Sequence, residues 1–172
     1  FGFATTLNPG DEVVFSSPNF MSYIYCSGFF NAKKVEVPRK TDLSPDFDAI
    51  KKSVTEKTKL MVICSPNNPT GYTLTHKEWE ELADIVIEND LYLVSDECYE
   101  KFVYDDYKPL SPASMNGMFE RTITLNAVSK SYAAPGFRLG YVIAPENLIK
   151  LMEVYMQYTV AGVNHPAQYG AL

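Results

Sequence analysis

Long apolar runs, paired cysteines and clustered cations are all missing from this sequence, and each absence narrows what it can be. No stretch approaches the roughly 18 consecutive apolar residues of a membrane span, and the first residues carry no basic segment leading to a small-residue cleavage site, so no membrane partner is expected. The three cysteines, Cys26, Cys64 and Cys98, are odd in number and form no CxxC pair. That argues against a disulfide framework or a zinc ribbon and makes a cytoplasmic protein the expectation. Cations are outnumbered, 15 Lys and Arg against 21 Asp and Glu for a formal charge of −6, and they are scattered. A nucleic-acid surface needs them clustered to neutralise phosphates, so no nucleic acid is expected and a small molecule is the better partner. His76 and His165 have no metal-ligand spacing with other candidates. No GxGxxG follows the first strand-like run, which disfavours a dinucleotide-binding domain.

What is present is the raw material of one domain: 172 residues, 46% of them hydrophobic, enough to bury a real core. Short apolar runs recur, EVVF, KVEVP, KLMVICS, LYLVSDE, TITLNA and GYVIAP, and they read as buried strands. Helical signals lie between them. In LTHKEWEELADIVIEND, Thr75 and Glu78 have capping-box spacing, and Trp79, Leu82, Ala83 and Val86 share one face. A second helix is expected from Ser44, with Pro45 in its first turn and Phe47, Ile50 and Val54 pointing inward. A last one covers ENLIKLMEVYMQYTV. The alternation predicts an α/β fold with a mostly parallel central sheet and helices on both faces, its ligand site outside the carboxyl ends of the strands. The opening FGFATTL reads as the tail of a helix stopped by NPG, and the closing NHPAQYGAL offers no further element. The expectation is therefore a piece of a longer chain.

Three polar clusters each follow an apolar run directly, which places them on one edge of the sheet. SPNNPTG combines backbone restriction at Pro66 and Pro69, a permissive Gly71, and the donors and acceptors of Asn67 and Asn68. SDECYE brings Asp96 and Tyr99, with Glu97 between them. After TITLNAVS comes Lys130; a lysine delivered into a crevice has its charged form disfavoured by desolvation, which makes its amine nucleophilic. Arg138, between Gly136 and Gly140, suits bidentate binding of a phosphate. Taken singly, each has an ordinary alternative: an Asn/Pro/Gly turn, a capping acid, a solvated loop lysine, a surface arginine. Together the amine, carboxylate, phenol, amide and guanidinium match what pyridoxal 5'-phosphate requires.

SPNNPTG, SDECYEKFVYD and SKSYAAPGFRLGY, in that order, resemble the class I/II aminotransferases of the fold-type I pyridoxal-phosphate enzymes, and LNPGDEVVFSSPNF is similar to the segment leading to that family's ring-stacking residue. The resemblance runs from about Leu7 to the last helix. It implies transamination between an amino acid and a 2-oxo acid, with Lys130 as Schiff-base lysine and proton shuttle. It also implies Asp96 on the pyridine nitrogen, Tyr99 and Asn68 on the ring oxygen, Arg138 on the phosphate, and Phe20, after Pro18, covering the ring. Many relatives carry a phosphate-binding serine three residues before the lysine, where this chain has Ala127. The resemblance further implies a cofactor-binding large domain truncated at both ends, without the small C-terminal domain, and a homodimer in the full-length form. Lyases, decarboxylases and synthases share most of these residues, and an excised, non-catalytic core is the remaining alternative.

Overall fold

The computed structural model describes all 172 residues. Its centre is a sheet of β1 (Glu12–Ser17), β2 (Lys33–Pro38), β3 (Thr58–Cys64), β4 (Tyr92–Asp96), β5 (Thr122–Ala127) and β6 (Gly140–Ile143). The strands run in the order β2-β1-β3-β4-β5-β6. The first five are mutually parallel, and β6 pairs antiparallel to β5. Chain order reverses at β1, which has β2 on one side and β3 on the other. In open parallel sheets that switch point is where a crevice opens above the carboxyl ends.

Helices α1 (Gly2–Thr6), α2 (Met21–Phe29), α3 (Phe47–Ser53), α4 (His76–Glu88), α5 (Val128–Ser131), α6 (Glu146–Thr159) and α7 (His165–Ala171) complete the chain. Because side chains alternate across a strand, the apolar runs split cleanly between two cores. Val14, Met61, Ile63 and Leu93 meet Ile50 of α3 and Trp79, Leu82 and Val86 of α4. Val13, Phe15, Leu60, Val62 and Ile123 meet Phe3, Tyr23, Leu148 and Met152 on the other side. Each such side chain contributes about 1.5–3 kcal/mol when fully buried. A sheet covered on both faces explains why the strands read as continuous apolar runs rather than alternating ones.

The expected capping box of α4 is complete, with Thr75 Oγ1 accepting from Glu78 N at 3.3 Å and Glu78 Oε2 accepting from Thr75 N at 2.8 Å. Three expectations need correction. The helix expected from Ser44 starts at Phe47, because Asp46 accepts from Ala49 N and takes the cap, while Ser44 is held in a turn by Asp42. β6 is an exposed edge strand, not a buried one, with Tyr141 and Ile143 open to solvent. The last residues do form an element, α7, capped by Asn164 accepting from Ala167 N at 2.9 Å, with a proline in its first turn. Helix α2, for which no element was expected, has no sequence signal of the usual kind: it lacks a side-chain cap, and only Tyr23 and Ser27 are buried.

Two predictions concern the scaffold alone. A Cβ at Gly140 would stand 2.8 Å from the backbone oxygen of Asn126, so Gly140→Ala must push the β5–β6 pair apart. A loss of about 1–3 kcal/mol is expected, the usual cost of overpacking, measured as a lowered denaturant midpoint. At the amino-terminal edge, buried Glu12 accepts from Lys33 Nζ at 2.9 Å, Thr55 Oγ1 at 2.7 Å and Thr58 Oγ1 at 3.3 Å. The Lys33 hydrogen bond, followed by that of Thr55, holds its carboxyl below the ordinary 4.5. A depressed carboxyl pKa stabilises the fold above its unfolded value and stops doing so as pH falls through the folded value. Stability is therefore expected to decline below about pH 4.5, less steeply in Glu12→Gln; equal slopes in acid titrations of the two proteins would contradict this.

Candidate active site

The carboxyl ends of β1, β3, β4 and β5 lie on one edge, since these strands are parallel. Each strand hands over to a polar segment there. β4 ends at Asp96, whose carboxylate is held at both oxygens: Cys98 N donates to Oδ1 at 3.1 Å, and the Tyr23 hydroxyl donates to Oδ2. Tyr23 reaches it from α2, across the sheet from β1, and is only 5% exposed. Burial, then the Asp96 charge, push the Tyr23 phenol far above its ordinary value. The same two causes push the neighbouring Cys64 thiol up to about 12. Cys98 is likewise raised by burial and then Asp96, with Lys130 pulling the other way. A phenol and two thiols thus stay protonated around Asp96, leaving the negative charge of the cluster to the carboxylate.

β3 ends in a loop where the two asparagines divide their work. Asn67 is buried and builds the turn: its N–H donates to Tyr72 O at 2.8 Å, and its Oδ1 accepts from Thr70 Oγ1 at 2.8 Å. Gly71 takes φ +73°, open to glycine at little cost. Asn68 instead turns toward Tyr99, its Nδ2 donating to the phenol oxygen at 3.3 Å. Asn68 and Tyr99 together line an open cleft of about 750 Å³, with Phe102, Tyr104 and Tyr107 also on its wall.

β5 delivers Lys130 on the single turn of α5, where its Nζ stands 5.7 Å from the centroid of the Tyr99 ring, within cation–π range. The lysine is exposed, so the apolar crevice expected around it is not formed by this chain. Arg138 closes the loop that begins with α5: Val128 N donates to Leu139 O at 3.2 Å, and Arg138, at φ +51°, donates from Nη1 to Pro135 O at 2.9 Å. The residue is exposed, and no other side-chain hydrogen bond uses its remaining donors. Ala127 offers only backbone, and that N–H is spent on Asn126 Oδ1 at 2.8 Å.

Phe20, 44% exposed, sets its ring edge-on to Tyr23 at 5.8 Å between centroids. Phe20, Tyr23 and Asp96 are thus one connected group, and Asn68, Tyr99 and Lys130 another; the two are contiguous along the turn from Asp96 to Tyr99. Glu97 belongs to neither. It is buried, raised by that burial, and accepts from Ser95 Oγ at 2.9 Å and Ser111 Oγ at 2.7 Å. Tyr23 was not legible as a site residue, because the one signal available, its place three residues after Phe20, has meaning only if the segment is helical.

The sequence profile of aminotransferase class I and II matches residues 1–169. The chain is 45% identical to an aspartate aminotransferase of Pyrococcus abyssi and 44% identical to aromatic-amino-acid aminotransferase 2 of Thermococcus litoralis, in each case over 99% of the chain and 44% of the relative. Among solved structures, an aromatic aminotransferase from Pyrococcus horikoshii superposes with a TM-score of 0.96 at 44% identity, covering 99% of this chain and 46% of that one. The aspartate aminotransferase of Thermus thermophilus with maleate gives 0.93 at 35%, covering 98% and 44%. The chain therefore spans less than half the length of these relatives. A profile that runs through nearly every residue, and a shared fold in which the polar strand ends fall on one edge, settle the kinship: the chain belongs to the class I and II aminotransferases.

Proposed function

We propose that this chain is the cofactor-binding core of a pyridoxal-phosphate-dependent aminotransferase that moves an amino group between an amino acid and a 2-oxo acid. The observation that carries this reading is the pairing of Lys130 with the Asn68–Tyr99 hydrogen bond beside a carboxylate fixed at both oxygens. The donor set fits the cofactor. Asp96 keeps lone pairs on both oxygens for a ring N–H, Tyr99 and Asn68 offer a phenol and an amide to a ring oxygen, and Arg138 has unspent guanidinium donors for a phosphate. Phe20, half open beside the cluster, is placed to cover an aromatic ring.

When bound, pyridoxal phosphate supplies an electron sink for the charge left at the substrate Cα. The chain's own residues do the rest. The Lys130 amine anchors the cofactor covalently and, once released, carries the proton to and from the substrate Cα. Asp96 keeps the ring nitrogen protonated by offering it a fixed negative acceptor. Tyr99 and Asn68 orient the ring oxygen. A homodimer in the full-length form and a cytoplasmic location belong to the same reading; no helix is long and apolar enough to cross a membrane.

The test is chemical. The chain is mixed with pyridoxal phosphate, reduced with borohydride and digested. The expected result is a pyridoxyl label on the peptide containing Lys130; a label spread over surface lysines, or none in a folded sample, would overturn the proposal.

A further inference from the structure

We propose that Tyr23 is a positioning residue for the cofactor ring, acting through Asp96 and Phe20 without touching the reacting atoms itself. The proposal rests on the functional reading above and deepens it.

Asp96 stands at the end of a strand, where a carboxylate can rotate about its last bond. Its two hydrogen bonds differ in kind. The backbone N–H of Cys98 would be supplied by any residue in that turn. The second is specific to the Tyr23 side chain, and it comes from a rigid place: Tyr23 is almost fully buried in the core beneath the site, and its carbonyl is tied to Ser27 Oγ at 2.8 Å. With one oxygen held by each donor, the carboxylate plane is fixed and its remaining lone pairs point in set directions. The Tyr23 ring also meets the edge of Phe20 at an interplanar angle of 83°. One buried phenol therefore aligns the acceptor for the ring nitrogen with the aromatic that covers the ring face. Burial and the Asp96 charge keep that phenol protonated, so the donor role survives across the working pH range. Had Tyr23 been there only to fill the core, a phenylalanine would serve as well.

Tyr23→Phe keeps the ring and removes the hydroxyl, and Asp96→Asn and the double variant complete a cycle. Removing a hydrogen bond to a charged group is expected to weaken pyridoxal phosphate binding about tenfold or more. It should also move the 13C carboxyl resonance of Asp96 in the cofactor-free chain at neutral pH, because the Tyr23 donor to Oδ2 has gone. In the Asp96→Asn background Tyr23→Phe should change binding little, since its partner is already altered. Additive losses, or an unmoved Asp96 carboxyl resonance, would overturn the inference. Failure of the wild-type chain to bind the cofactor would count against the functional reading instead, and the Asp96 carboxyl resonance would still decide the role of Tyr23. Normal binding by Tyr23→Phe beside a weakened Asp96→Asn would remove Tyr23 and leave the functional reading standing.

Discussion

Lys130→Ala is expected to abolish borohydride-resistant attachment of pyridoxal phosphate and, in any protein that turns over, to lower the rate by at least about 10²–10⁴-fold, the usual share of a general base. The argument is local. Lys130 is exposed, and no hydrogen bond or salt bridge ties down its ammonium beyond the approach to the Tyr99 ring. Its removal should therefore change stability by no more than about 0.5 kcal/mol, as for surface substitutions generally. A lost label then cannot be blamed on unfolding, which a thermal melt of the variant checks. Lys130→Arg separates charge from chemistry: the guanidinium keeps the cation over Tyr99 but stays protonated and non-nucleophilic. It should retain reversible cofactor binding and give no covalent label. Equal labelling of wild type and Lys130→Ala would place the reactive amine elsewhere.

The sheet was legible because both of its faces are buried, so that strands such as KLMVICS stand out as apolar runs however they are paired. Helix α4 was legible because its cap, its stripe and its first-turn acid all agree. α2 was not, and with it went Tyr23. Its residues bury too few side chains to leave a 3.6-residue pattern, and its position is set by what it packs against rather than by its own propensity. The placement of Asn68, Asp96, Tyr99 and Lys130 on one edge followed from parallel pairing alone. The environment of Lys130 did not: whether a strand-end side chain is sheltered depends on segments distant in sequence, and here nothing in the chain shelters it. The division of labour between Asn67 and Asn68 was equally hidden, since two adjacent amides look identical until the turn sends one inward and one toward Tyr99.

Trp79→Ala should be the most damaging substitution to the fold, and its effect is expected to reach the site. Trp79 is 2% exposed within the core between the sheet and the α3–α4 layer, and Trp or Phe to Ala in such places costs about 3–5 kcal/mol. Against a total stability of about 5–15 kcal/mol, that is a large fraction. A fall in the denaturant midpoint with little change in slope is the expected signature; a loss below about 1 kcal/mol would mean the cavity collapses and the packing argument is wrong. The route to the site runs through the first turn of α4. Glu78, the residue before Trp79, accepts from Tyr72 OH at 2.7 Å and from Thr75 N, while Leu74 N donates to Ser65 Oγ at 3.0 Å. These bonds pin both ends of the loop that presents Asn68. Loosening α4 should let that loop wander and weaken cofactor binding in a sample still largely folded, whereas Tyr72→Phe, which cuts one of the pins and spares the core, should reproduce part of the binding loss at a much smaller cost in stability. If binding in Trp79→Ala fell only in step with the unfolded fraction, the loop would be held independently of α4 and this coupling would be absent.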